Sequence, residues 1–328
     1  MLVLQRIRAT KPVLRGWSRR SPVPTCGDSR DIVGSARLRS GLYEESRLSS
    51  QIRFKKQLSK LTSRIVWGGA RREKLYDRLY SLEWGETTTN NYGFAPAEGH
   101  KAERFQLQIY TELLKLLETK LQYRRIYRCL EISCGRGGGL RHLARSLHKQ
   151  AQLTGLDYSD HAIAFCQKHY AAFPNINFIR GHALHMPFKN ESFDLVVNVE
   201  ASHAYGNDAS FLREVRRVLH PRGQFLYADY RRRSKIAELE QLARSAGLAG
   251  ELRDITRNVV SACELDAERR RSTIRAGLPW YARPLLTRSL ERYSALPGTP
   301  NLQRFRSGDR MYFLGCMSPC RQDVVSDS

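Results

Sequence analysis

The chain has 328 residues, a formal net charge of +23 and 41% hydrophobic residues. That length suits one large α/β domain or two modest ones, and the apolar share can fill a core, which excludes disorder throughout. No run approaches the roughly 20 uninterrupted apolar residues that cross a bilayer, so a soluble protein is expected.

The charge suggests attraction to nucleic acid, anionic lipid or an acidic partner, but it is uneven. Residues 1–65 carry fifteen Lys or Arg against Asp28, Asp31, Glu44 and Glu45. Residues 1–27 hold no acid and include the helix-breaking Ser21-Pro22-Val23-Pro24. This composition fits an organelle transit peptide, and equally a disordered basic leader or a start codon placed too far upstream. A cytoplasmic protein is expected if the leader is inert, a mitochondrial or plastid one if it is an import signal. The seven cysteines (Cys26, Cys129, Cys134, Cys166, Cys263, Cys316, Cys320) are odd in number and irregularly spaced, so a reducing compartment is expected rather than a disulfide framework. His182 with His185, and Cys316 with Cys320, lack a second pair at the spacing of a structural zinc site, and no metal is expected.

Taken in chain order, apolar residues at helical offsets predict amphipathic helices over 73–84 (Leu75, Tyr76, Leu79, Tyr80) and 101–121 (Phe105, Tyr110, Leu113, Leu117). Between them, 85–99 reads as a loop able to close over a ligand. Apolar runs at 126–132, 151–156, 176–179, 193–199 and 224–228 then alternate with helical patterns at 138–149, 161–173 and 209–219, the last stopped by Pro221 and Gly223. Strands alternating with helices imply an α/β fold with a doubly wound parallel sheet. A charge-rich helical stretch follows and reads as a lid insertion over about 234–300. Two antiparallel edge strands are expected at 302–305 and 310–314, joined through Ser307-Gly308-Asp309. The regions are thus a basic leader (1–65), a helical cap (66–122) and a main domain (123–328).

The chemistry lies at the first strand-to-helix turn, Glu131-Ile132-Ser133-Cys134-Gly135-Arg136-Gly137-Gly138-Gly139. Glycines there let a backbone and a helix N-terminus approach a nucleotide-like ligand. The spacing is not G-x-G-x-x-G, and the acid Glu131 would repel a pyrophosphate, so a cationic cofactor with an ammonium and a sulfonium fits better. The second strand ends in Asp157, whose carboxylate offers two acceptors to a ribose diol.

With the fourth strand, Phe193-Asp194-Leu195-Val196-Val197-Asn198-Val199-Glu200, these features resemble the class I S-adenosylmethionine-dependent methyltransferases, from about Tyr127 to Tyr230. The stretches LEISCGRGGG, TGLD, NESFDLVVNVEASHAY and FLREVRRVLHPRGQFLYAD are similar to a small-molecule O-methyltransferase subgroup that includes mycobacterial phthiotriolone dimycocerosate enzymes. The resemblance implies a seven-stranded Rossmann-like sheet of order 3-2-1-4-5-7-6, with the final hairpin as strands six and seven. It implies S-adenosylmethionine as cofactor, with Gly135 and Gly137 along its methionine and ribose and Glu131 supporting the loop or meeting the ammonium indirectly. It places Asp157 on the ribose hydroxyls, Tyr158 and Ala183 at the adenine, and Asn198 at the cofactor end of strand four. Ser133 replaces the usual first glycine, and His182 stands where the family commonly has an acid that accepts from the adenine amine.

A hydroxyl acceptor needs its proton removed, and histidine is the side chain that titrates between pH 5 and 8 unperturbed. His203, just past the fourth strand, is the expected catalytic base; a loop-fixing histidine is the competing reading. Glu200 is placed to orient it or face the cofactor, and His100 is a weaker candidate. The acceptor is expected to be an apolar hydroxylated lipid, polyketide or other small molecule, held by Tyr92, Phe94, Phe105, Trp280 and Tyr281. An amine or carbon acceptor, an RNA acceptor and a non-catalytic binding subunit remain open. RNA is not favoured: Asn198-Val199-Glu200-Ala201 is not the Asn/Asp-Pro-Pro-aromatic pattern used on base amino groups. Oligomeric state is not legible in the sequence.

Overall fold

The computed structural model describes residues 76, 77, 80, 82, 84–97, 99, 102–120 and 126–320. The basic leader, most of the helix expected over 73–84, and His100 lie outside these residues. A loop leads into α1 (Arg104–Lys120), then β1 (Arg128–Ile132), α2 (Gly138–Ser146), β2 (Gln152–Asp157), α3 (Asp160–His169), β3 (Ile176–Arg180) and β4 (Phe193–Val199). There follow α4 (Asp208–Val218), β5 (Leu219–Arg232), α5 (Ile236–Ser245) and β6 (Leu248–Asp254). Four helices, α6 (Thr256–Leu265), α7 (Ala267–Gly277), α8 (Arg283–Tyr293) and α9 (Pro300–Arg306), precede β7 (Arg310–Pro319).

The strands form one sheet in the order β3-β2-β1-β4-β5-β7-β6, as the resemblance implies. The first five are parallel, and β7 runs antiparallel to both β5 and β6. Burial on both faces explains the nearly continuous apolar runs, since successive side chains point to opposite layers. Leu195 and Val197 pack with Leu226, Leu314 and the α1 to α3 side, whereas Val196 packs with Phe225, Tyr227, Phe313 and α4. Each fully buried Leu, Val or Phe contributes about 1.5–3 kcal/mol of transfer free energy. Helix starts are fixed locally. Ser159 caps α3 by accepting from Ala162 N at 3.2 Å, and Asn207 caps α4 by accepting from Ser210 N at 2.9 Å.

Two expectations near the C-terminus need correction. Residues 302–305 are not a strand but lie in α9, opened by Pro300; Leu302 and Phe305, three apart, are both buried as on one helix face. The strand pairing with β7 is instead β6, inside the segment read as a lid. At the sheet edge it leaves most of its side chains in solvent, so it carries no apolar alternation to read. The insertion is therefore the helical excursion between β6 and β7, not 234–300. Among the described residues, no helix is long and apolar enough to cross a membrane.

Candidate active site

Parallel strands bring their carboxyl ends to one edge of the sheet, and the β1, β2 and β4 ends meet there over a cavity. Gly135, Asp157, Tyr158 and Ala183 all line it. Gly135 adopts φ 54°, and its N–H donates to Asp157 Oδ2 at 2.8 Å. A Cβ at this position would come within 2.6 Å of the Tyr80 hydroxyl, so the turn needs glycine both for its backbone and for its close approach. Ser159 N donates to Asp157 Oδ1 at 2.9 Å. These donors fix the carboxylate at the cavity wall and leave it acceptor capacity for a ligand diol. Burial pushes the Asp157 carboxyl above its ordinary range despite these donors.

Three other sequence-predicted residues stand behind the wall. Gly137 begins α2 in the left-handed region, and a Cβ there would strike Tyr170 at 2.6 Å, so it packs toward the core. Glu131 is buried beneath the turn, where the Tyr110 hydroxyl donates to Oε1 at 2.7 Å; burial raises its carboxyl to about 8. Asn198 Nδ2 donates to Ile132 O at 3.1 Å and to the Tyr205 hydroxyl at 2.9 Å, while its buried Oδ1 has no hydrogen-bond partner. Ser133 holds a left-handed φ of 56° without being glycine, and its Oγ lies 2.6 Å from the Tyr205 hydroxyl. At the far end, Tyr158 and His182 meet edge-on at 5.8 Å, and His182 Nδ1 accepts from Leu184 N. The glycine turn and the carboxylate on the cavity wall suit S-adenosylmethionine, with the orphaned Asn198 amide oxygen and the buried Glu131 behind that wall.

A second cavity adjoins the first, and both are lined by Tyr76, Tyr80, Asn90, Arg136 and Glu200. Its roof comes from α7 and α8. Tyr92 lines it and stacks on Tyr230 at 5.7 Å, and Tyr293 donates to the Tyr76 hydroxyl at 2.8 Å. Arg270 fastens this roof: its buried guanidinium donates to Tyr92 O at 2.6 Å, Ser294 O at 2.9 Å and Asp266 Oδ2 at 3.0 Å. Of the other aromatics expected at the acceptor, Phe94 and Phe105 are core residues, and Trp280 lies outside on the surface. Tyr281 meets Trp280 edge-on at 5.7 Å, and neither lines the second cavity.

The segment after β4 faces two ways. Glu200, Ala201, Ala204 and Tyr205 line the first cavity, whereas Ser202 and His203 line a separate recess with Asp208, Arg231 and Lys235. His203 Nδ1 lies 2.8 Å from Asp229 Oδ1, and His203 N donates to Asp229 Oδ2 at 3.0 Å. The imidazole also packs on Tyr230, ring centres 4.3 Å apart. Burial would raise the Asp229 carboxyl, but the charges of His203 and Arg231 outweigh it and hold it well below the usual range. Such an acid fixes the imidazole's orientation and leaves Nε2 to act as base. Glu200, by contrast, accepts from Tyr92 N at 2.7 Å and the Tyr312 hydroxyl at 3.0 Å, both on Oε2, and burial raises it to about 8.

Sequence reasoning singled out neither Asp229 nor Arg270. Asp229 closes a buried apolar run at the sheet's carboxyl edge, which is a readable signal. Arg270 stands among other arginines and has none.

A family model described as a methyltransferase domain matches residues 130–227. The phthiotriol/phenolphthiotriol dimycocerosates methyltransferase of Mycobacterium tuberculosis is 37% identical over 58% of this chain and 68% of its own length. A fatty-acid O-methyltransferase of Mycolicibacterium smegmatis is 33% identical, also over 58% of this chain and 68% of its own length. The chain spans less of three other mycobacterial relatives, 65%, 57% and 62% of their lengths. Among solved structures, geranyl diphosphate C-methyltransferase from Streptomyces coelicolor A3(2) superposes with a TM-score of 0.52 at 16% identity. That likeness covers 74% of this chain and 97% of the other.

Proposed function

The chain belongs to the class I S-adenosylmethionine-dependent methyltransferases, and from that premise we propose that it methylates a hydroxyl on an apolar lipid, polyketide or similar small molecule. The observation that carries this reading is the shared wall of the two cavities, which lets a nucleotide-like cofactor and an apolar acceptor meet beside Glu200. The relatives named for dimycocerosate and fatty-acid substrates support the lipid class.

Asp157 would hold the ribose hydroxyls, Tyr158 and Ala183 the adenine, and the Gly135 turn the methionine end, with Glu131 beneath the turn and Asn198 bracing the wall through Ile132 O and the Tyr205 hydroxyl. The bound cofactor supplies a sulfonium-activated methyl group to a nucleophile aligned with it. His203, oriented by Asp229, takes the acceptor's proton. Tyr92 lines the second cavity and stacks on Tyr230, which in turn packs on the His203 imidazole. Because Glu200 rather than His203 lines the cavity, a second reading has Glu200 as the proton-handling group, or an amine or carbon acceptor needing no strong base. Cytoplasm is the proposed compartment, with mitochondrion or plastid if the leader is an import signal.

Cofactor-dependent transfer to hydroxylated lipids, measured for wild type, His203→Ala and Glu200→Gln, tests the assignment. Loss of turnover confined to His203→Ala supports the hydroxyl reading; loss confined to Glu200→Gln transfers the role to Glu200. A product methylated on nitrogen or carbon overturns it.

A further inference from the structure

We propose that the turn before α8, together with the outer face of α8, docks on an anionic lipid surface and admits the acceptor from the bilayer. The admission half rests on the lipid reading above; the docking half does not. Trp280 is 71% exposed and Leu285 is 58% exposed, among the most exposed large hydrophobics of the described residues. A Trp and a Leu left in water within five residues of each other form an apolar tip.

Basic side chains ring that tip. Arg275, Arg283, Arg288 and Arg292 are all exposed, and the acids of α7 and α8 are Glu268 and Glu291 alone. Leu285, Arg288 and Arg292, spaced by three and four, share one face of α8. Arg283 Nε donates to Leu278 O at 3.2 Å and so fixes the turn that presents Trp280. An apolar wedge inside a cationic rim is the pattern that sits at headgroup depth, with the arginines on lipid phosphates. A surface built for single-stranded RNA combines arginines with aromatics on which bases stack, and an exposed aliphatic side chain such as Leu285 adds no stacking.

The tip also marks an opening. A cleft of about 1110 Å³ is lined by Trp84, Leu278, Pro279, Trp280 and Arg283, and it shares Trp84, Thr87, Arg269 and Thr273 with the second cavity. Cleft, second cavity and first cavity therefore adjoin in sequence from the docking tip to the glycine turn. An elongated acceptor can lie along them, from the tip toward the glycine turn.

The test is flotation of the full chain with vesicles of phosphatidylcholine alone and with a quarter phosphatidylglycerol, in parallel with a short poly-uridine RNA. Binding to the mixed vesicles only is expected, weakened about tenfold or more by Trp280→Ala with Leu285→Ser. Arg288→Ser should weaken it by about fivefold. Titration with S-adenosylmethionine should be unchanged in each variant, which also reports that they fold. No vesicle binding, vesicle binding indifferent to the Trp280 and Leu285 changes and so carried by the basic leader, or an equal loss on RNA would each overturn the proposal. Vesicle binding with no cofactor binding in wild type would instead strike the enzyme reading.

Discussion

The two cavities are built by different means. The first is made at strand ends and by backbone: β1, β2 and β4 fix Gly135, Asp157 and Glu200 through parallel pairing, so their places follow from the sheet. The second is made by helix side chains that reach one another across long sequence separations, as Arg270 does to Tyr92 and Ser294. A site of the first kind serves a ligand that never changes; one of the second kind can be refitted to a new acceptor. The contrast predicts that damage to one should leave the other intact.

The largest separation is expected from Asp157→Ala. It removes the diol acceptors and the carboxylate that fastens Gly135 N and Ser159 N, and should weaken cofactor binding about a thousandfold by calorimetry, with the melting temperature lowered by only a few degrees for the two stranded N–H groups. His203→Ala should lower kcat by about two to four orders of magnitude, the range for a positioned general base, with cofactor affinity within about twofold of wild type. Equal losses of kcat and cofactor affinity would show that His203 shapes the loop instead. Arg270→Ala strands the buried Asp266 with Arg269 as its remaining ion partner and frees the roof, at a cost of about 3 kcal/mol by denaturant unfolding. Cofactor binding at low temperature should survive it.

Glu200 sharpens the contrast through pH. Its folded carboxyl is raised to about 8, so its contribution to stability is fully present below the ordinary carboxylate pKa near 4.5 and is lost as pH rises toward 8. The slope is about 1.4 kcal/mol per pH unit where only the unfolded chain has ionised. Glu200→Gln should remove that slope, so that the difference between the two stability curves changes steadily with pH across the window; a parallel offset would refute the burial argument. The smallest effect, about 1 kcal/mol, is expected for Asp194→Asn, which loses the ion pair with Arg128 but keeps an amide oxygen for the Tyr127 and Arg128 N–H groups, far from both cavities.

What the sequence made legible follows the same division. The strands β1 to β5, the glycine turn and Asp157 were readable because apolar runs buried on both faces and obligatory glycines leave local marks, whereas the order of the strands in the sheet came only with the family resemblance. β6 escaped notice because an edge strand that leaves side chains in solvent has no periodicity to show. His203 was readable as a base, but its placement was not: whether it or Glu200 lines the cavity depends on a left-handed φ of 52° at Glu200 that turns the chain after β4. The acceptor aromatics were readable only as a composition. Phe94 and Phe105 became core and Trp280 surface, since their surroundings are supplied by helices distant in sequence.

The helices α6 to α9 leave the sheet after β6 and return at β7, and the two strands are antiparallel neighbours, with Ile255 N donating to Tyr312 O at 2.9 Å. Departure and return points therefore touch. Lengthening, shortening or replacing such an excursion alters no strand register, and each doubling of its length costs only about 0.6 kcal/mol of closure entropy. The roof is thus anchored to the sheet at one place, where β6 hands the chain over and β7 takes it back, and the strand ends that build the first cavity do not depend on its length.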